Sequence, residues 1–338
     1  MKKNCSINIF RYICALMVMA IHIHPFEDIN DIAGREFRHV IPRIGVPFFF
    51  CVAGYFYIRK LERGNKAFLP YITRLLKVYA IWSCFYYLID LIEWGKDDLP
   101  KFIRYAIRHF MIEGSHYHFW FFTALIFAVT VVSILFSLKL SSLVIPVSLL
   151  LYAVGCLGFS YYKIGSMIPG LNRLYESGNI TNIRHFFFMG LPFVCCGYVV
   201  SLIERSSWYR KLSSKTLFLL FFAAVAFWRI EIIAVQTFKI SRSTVFTPGL
   251  YLYLVALMLV LLRFPMPQLS AQSDFCKTAA GLTYYIHPFF IWLINQNAAR
   301  LPFDPGKTLL YAIVWFITFV LSYLVYRSDN QFLKMISG

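Results

Sequence analysis

The sequence predicts an all-α polytopic membrane protein with about ten transmembrane helices and both termini in the cytoplasm. Three observations carry this. Of 338 residues, 59% are hydrophobic and only 14% charged, against about 45–50% and about 25% in a soluble domain. The mean hydropathy is +0.63. Apolar runs recur along the whole chain, enough for roughly ten spans at about 20 residues each. A soluble enzyme, a disordered chain and a small disulfide scaffold are excluded.

The first run, 7–25, contains Arg11, His22 and His24, lacks a small-residue cleavage site and precedes many more spans, so it is not read as a cleaved signal. Further spans are expected at 39–58, 74–94, 117–136, 142–158, 183–203, 215–235, 247–263, 276–294 and 309–327. Residues 99–112 set Lys101, Arg104 and Arg108 against Phe102, Ile103, Tyr105, Ile107 and Phe110, the pattern of an interfacial amphipathic helix. No repeat, low-complexity segment or soluble domain interrupts this series, so 1–338 reads as one transmembrane domain.

The 33 Lys+Arg against 16 Asp+Glu give a net charge of +17. In a soluble protein that excess suggests nucleic acid; here cationic loops that orient the spans explain it, and no nucleic-acid partner is expected. Lys2, Lys3, Arg59, Lys60, Arg63, Lys66, Lys139, Arg205, Arg210, Lys211 and Lys215 fall on one side, with Glu62 and Glu204. Acids balance the opposite loops at Glu27, Asp28 and Asp31 and over 93–98. The positive-inside rule then places the termini in the cytoplasm. Eight cysteines occur without a CxxC and read as small hydrophobes, so no metal is expected.

Ionisable groups inside spans cost about 2.5–3.5 kcal/mol each near the helix centre. They are Arg11, His22 and His24 in the first span, Arg43 in the second, Asp90 late in the third, and His118 at the start of the fourth. Arg184 and His185 open the sixth, Arg229 and Glu231 lie late in the seventh, and His287 lies in the ninth. All but Arg11 fall in the outer half, the pattern of a polar cavity reachable from outside. Eleven residues separate Arg11 from His22, which returns to within roughly 20° of one face, about 16 Å along the axis. Arg11 either snorkels to the inner headgroups or offers a cation to an anionic donor. His22 is a packing histidine or a base, and His24, about 200° away, cannot share its role.

Other groups carry two readings each. Residues 42–50 form a Gly/Pro-broken helix start that bends for packing or presents Arg43. His118 and Trp120 belong to an aromatic belt or to a site. His287, before Pro288, is a second candidate acid–base group. Arg229 and Glu231, two apart, face different ways and each pairs with another helix in the structural reading. Arg59, Lys60, Arg63, Lys66, Arg74 and Lys77 orient the chain or seat the phosphates of a coenzyme A donor.

These residues resemble acyltransferase family 3. The resemblance rests on Arg11 and His22 in Arg-x10-His spacing, on 43–50 and 52–56, on Arg74-Leu-Leu-Lys77-Val-Tyr, and on His118-Phe-Trp-Phe-Phe. Tyr117–Leu125, Arg184–Phe188 and Tyr284–Pro288 further resemble the membrane half of the vancomycin-resistance membrane-bound serine racemases. In those proteins the resemblance implies a ten-span domain fused to a soluble racemase domain that uses pyridoxal phosphate. This chain ends at Ser337-Gly338, soon after its tenth expected span. No racemase domain and no pyridoxal phosphate are therefore expected in it, and it is a free-standing relative or the membrane half of a longer protein.

The resemblance implies acyl-CoA, typically acetyl-CoA, as donor, an outward-facing hydroxyl acceptor and the bacterial cytoplasmic membrane as location. His22 would be base or transient acyl carrier, assisted by His118 or His287, while Arg43 would position an anionic group and Trp120 line the acceptor. Arg11, Arg59, Lys60, Arg74 and Lys77 would hold the donor. The alternative it leaves open is an L-serine module feeding a fused or associated racemase, with Arg43 and Arg184 on the carboxylate and Glu231 or Asp90 on the ammonium. A purely structural anchor fits poorly with so many intramembrane charges.

Overall fold

A computed structural model describes residues 4–64, 67–93, 98–177, 180–297 and 306–338. Lys2, Lys3, Lys66 and most of the 93–98 loop, used above for orientation, lie outside the described residues. Among the described residues the chain is helical with no strand. Its longer helices are α1 (Cys5–Ile23), α2 (Asp31–His39), α3 (Gly45–Leu61), α4 (Phe68–Glu93), α5 (Leu99–Arg108) and α6 (Trp120–Ser137). They continue as α7 (Val144–Gly158), α8 (Leu191–Arg205), α9 (Ser214–Thr237), α10 (Pro248–Arg263), α11 (Ser270–Gln296) and α12 (Gly306–Arg327).

Each expected span has a helical counterpart. Eight helical stretches are long and apolar enough to cross a membrane, and α10 with α11 meets the same test only as a pair, giving eight or up to nine among the described residues. For α10 the reason is length, while α11, at 27 residues, is long enough and fails on composition. With 16 residues, α10 rises roughly 24 Å, short of a hydrocarbon core of about 30 Å. The second stretch also begins earlier than expected, at Asp31, because α2 and a 3-10 turn at Ile41–Ile44 lead into α3. Over 99–112 the helix holds to Arg108 and then widens into a π turn at His109–Glu113. Asp98 caps it by accepting from the Lys101 amide at 3.0 Å, and Phe102 is its buried residue.

The chain divides into two compact units, one of residues 1–49 with 261–338 and one of residues 50–260. In the first, α1 begins on borrowed acceptors. A helix start leaves four amides without intrahelical partners. Asn4 Oδ1 accepts from the Ile7 amide at 3.0 Å, the Cys5 amide donates to Pro265 O at 2.9 Å, and Ser6 Oγ donates to Phe264 O. From there α1 and α11 run side by side in parallel. Asn8 Nδ2 donates to Ser273 Oγ at 3.0 Å, Tyr12 meets Phe275, and fourteen residues on from Asn8 and Ser273, His22 meets His287. Helix α12 runs the other way: Tyr311 donates to Leu16 O, Leu310 and Val314 pack with Met19 and Ile23, and Phe319 and Tyr326 reach Phe275.

In the second unit α3 and α8 cross at glycines. A Cβ on Gly54 would lie 1.9 Å from Val194 O, and one on Gly197 2.2 Å from Cys51 O. Only a missing side chain permits that approach, the usual device where lipid offers no hydrophobic drive for helices to associate. The C-terminal ends of the same two helices are tied by Arg59–Glu204 and by Arg205–Glu62, the latter at 3.0 Å. Helix α4 holds the α5 segment through phenols: Tyr87 donates to Ala106 O at 2.6 Å, and Tyr79 donates to Phe110 O at 2.7 Å.

Candidate functional site

The parallel pairing of α1 and α11 sets two imidazoles face to face. The His22 and His287 rings stack with centroids 5.4 Å apart and planes 26° from parallel. His287 is fully buried, and its Nδ1 lies 2.8 Å from Thr283 O, one helical turn earlier. A carbonyl oxygen only accepts, so the Nδ1 of His287 carries a hydrogen, and in the neutral ring its Nε2 carries the lone pair. Pro288, next in the chain, has no amide hydrogen and leaves the carbonyl four residues before it without its usual helix donor. The polar pair thus sits at a weakened turn of α11. The 3-10 turn that carries Arg43 lies against the middle of α1, where a Cβ on Gly45 would come 3.2 Å from Cys14 O. Arg43 is half-buried there. Arg11 occupies α1 eleven residues before His22, also half-buried.

Four expected residues, His22, His287, Arg11 and Arg43, therefore fall in one unit. The others belong to the second unit. There His118 is buried, with Nδ1 3.0 Å from His116 Nδ1, and it packs on Tyr86 and Phe119. Trp120 opens α6 and stacks on His185 with centroids 4.0 Å apart. Arg184 Nη2 lies 2.8 Å from His185 Nε2. Glu231 is buried and fully engaged: Oε2 accepts from the Gly249 amide at 2.7 Å and Oε1 from the Tyr161 phenol. It caps the start of α10, which is the structural reading of that acid. Asp90 is half-buried late in α4, and Arg229 is half-buried in α9.

The basic cluster separates into two kinds. Arg59 is ion-paired with Glu204 and lies over the Tyr55 ring at 5.1 Å. Lys60, Arg63, Arg74 and Lys77 are exposed. Sequence reasoning passed over three partners: His116 beside His118, Tyr161 on Glu231, and Thr283 behind His287. The last had a signal, since residues four apart share a helix face. His116 lies only two residues from His118, while Tyr161 reaches Glu231 across 70 residues, beyond a local pattern.

A model of the acyltransferase domain matches residues 4–327. The chain belongs to acyltransferase family 3. An amino-acid racemase of Enterococcus faecalis is 27% identical over 331 residues, covering 95% of this chain and 45% of that protein. A serine/alanine racemase of Enterococcus gallinarum is 26% identical over an alignment of 351 positions, covering 98% of this chain and 47% of that protein. The chain thus spans a little under half the length of these relatives. No solved structure matches it. Within the family match, every one of the expected site residues from Arg11 to His287 lies inside 4–327.

Proposed function

We propose that this family 3 domain transfers a small acyl group, acetyl, from acyl-CoA to the hydroxyl of an acceptor on the outer side of the bacterial cytoplasmic membrane. The observation that carries the reading is the stacked His22–His287 pair. His22 takes the proton of the acceptor hydroxyl; the oxygen attacks the thioester carbonyl, the C–S bond breaks, and the coenzyme A thiolate recovers the proton from the imidazolium. His287, held by Thr283 with its lone pair on Nε2, is the partner that accepts charge from His22. A positioned imidazole contributes about 10²–10⁴-fold. Arg11 holds an anionic group of the donor from the cytoplasmic end of α1, and Arg43 neutralises charge developing beside the pair. The exposed Lys60, Arg74 and Lys77 draw the polyphosphate donor to the inner face.

The test is release of free coenzyme A from acetyl-CoA by the protein in proteoliposomes, with His22→Ala and His287→Ala beside wild type. Loss of about 10²-fold or more in both variants, with the acetyl-CoA affinity kept, supports the reading. Unchanged turnover in His22→Ala defeats it.

A second reading has one specific support, the names of the relatives. Two proteins about twice as long are named racemases of amino acids. On this reading the domain binds L-serine and passes it inward to a racemase, fused or associated. Uptake of labelled L-serine into proteoliposomes without acyl-CoA tests it, and uptake no greater than in empty liposomes rejects it.

A further inference from the structure

We propose that Arg184 and His185, framed by Trp120 and Phe159, form an oxyanion-binding site for a carboxylate or phosphate group. It rests on contacts inside the second unit and on no step of the transfer reaction.

Successive residues on an α-helix point about 100° apart and do not face each other. Arg184 and His185 nevertheless touch, Nη2 to Nε2 at 2.8 Å, at the start of the π turn Arg184–Gly190. Such wide turns are rare and recur at functional sites. A guanidinium has no acceptor and keeps its charge. His185 Nε2 therefore accepts, its hydrogen sits on Nδ1, and the ring is neutral. The positive charge of Arg184 is left uncompensated by its one hydrogen-bond partner. No carboxylate lies within ion-pair distance of Arg184 among the described residues. Among the described residues its Nε is buried without a hydrogen-bond partner.

Two rings hold the pair in place. Trp120 stacks on His185 with planes 17° from parallel, and the guanidinium lies 5.8 Å from the Phe159 centroid. A fixed cation in a membrane-spanning stretch costs free energy until an anion meets it. The remaining guanidinium hydrogens suit the two oxygens of a carboxylate or a phosphate, with His185 holding the guanidinium in place through Nε2. Arg184 is the fifth residue of the Ile180–Arg205 stretch, about 6 Å from its start. At that depth both a dissolved acid and a lipid headgroup can reach it.

The experiment uses the full chain in nanodiscs of zwitterionic lipid. Dissociation constants and thermal midpoints are measured with L-serine, ethanolamine, glycerol 3-phosphate and glycerol, then with discs containing anionic phospholipid. A shift with L-serine or glycerol 3-phosphate but not with their neutral or decarboxylated analogues assigns a dissolved ligand; a shift confined to anionic discs assigns a headgroup. In either case Arg184→Gln weakens binding about tenfold or more, Arg184→Lys weakens it less, and Arg173→Gln, an exposed arginine, leaves it unchanged. Arg184→Lys keeps the test open if the glutamine variant does not fold. Absence of binding by every oxyanion probe, or binding undiminished in the Arg184 variants, overturns the proposal. Because the readout is binding without turnover, its failure is separate from failure of the transfer reading.

Discussion

At the scale of the residue, two buried polar groups in different places do different work. Glu231 spends both carboxylate oxygens on the Gly249 amide and the Tyr161 phenol, so it is part of the scaffold. Glu231→Ala leaves a buried amide and a phenol without their acceptor. It should cost about 2 kcal/mol or more of stability, read as a lowered midpoint in detergent, while Glu231→Gln, which keeps one carbonyl, should cost less. An unchanged midpoint in the alanine variant would contradict that assignment. His287 is buried as well, but its hydrogen bond to Thr283 O leaves the ring face against His22. The sequence made His22 and His287 legible as groups that do not belong in a span. It did not choose between His118 and His287 as partner, because that depends on which helix runs parallel to α1. Glu231 read as structural because a buried charge needs a partner on another helix, yet its partners Tyr161 and Gly249 lie 70 and 18 residues away, beyond the reach of a local pattern.

At the scale of the element, the joints decide. Where α3 and α8 cross, the space for a Cβ at Gly54 is already occupied by the Val194 carbonyl. Gly54→Leu should therefore give a protein that fails to reach a folded, monodisperse state in detergent, whereas Ala53→Leu, one residue away, should be tolerated better. A well-folded Gly54→Leu protein would refute the crossing. A second joint ties the 24–30 loop to the start of α12. Asp28 accepts from the Thr308 amide at 2.9 Å, and Lys307 and Arg38 hold Glu27 at 2.6 and 3.0 Å. The hydrogen bond from Lys307 and the nearby Arg38 lower the pKa of Glu27, and hydrogen bonds from Thr308 lower that of Asp28. Groups lowered on folding stabilise the fold above their ordinary carboxylate pKa values and lose that contribution as pH falls through the folded values. The joint should thus hold at neutral pH and loosen on acidification below about pH 4. Hydrogen exchange over 24–30 and the first turn of α12 reads this, and equal protection at neutral and acid pH would contradict it. The apolar runs were legible, since composition within 20 residues fixes them, but they make eight or up to nine spans among the described residues and not ten. The early start at α2 and the short α10 were not, because they depend on turns and on prolines at 265 and 267 that redirect the chain.

At the scale of the whole molecule, the family match covers 4–327 and the helices supply eight or nine apolar stretches among the described residues. The apolar stretches follow from a composition that is 59% hydrophobic. We propose that the direction of insertion follows the basic loops, with Lys60 and Lys77 inside the cell. Single cysteines at these two positions should react with an impermeant thiol reagent only after the membrane is opened, and labelling of intact cells would reverse the orientation. The aligned residues make up 45% and 47% of those racemases. What this chain does is then a matter of its own polar groups, the His22–His287 pair above all. The most direct measurement is coenzyme A release from acetyl-CoA by the reconstituted chain, with and without the His22→Ala substitution. Acyl transfer by the histidine pair predicts release by wild type and a loss of about 10²-fold or more in the variant. Equal release by both proteins, or none by wild type that nevertheless binds L-serine, would contradict it.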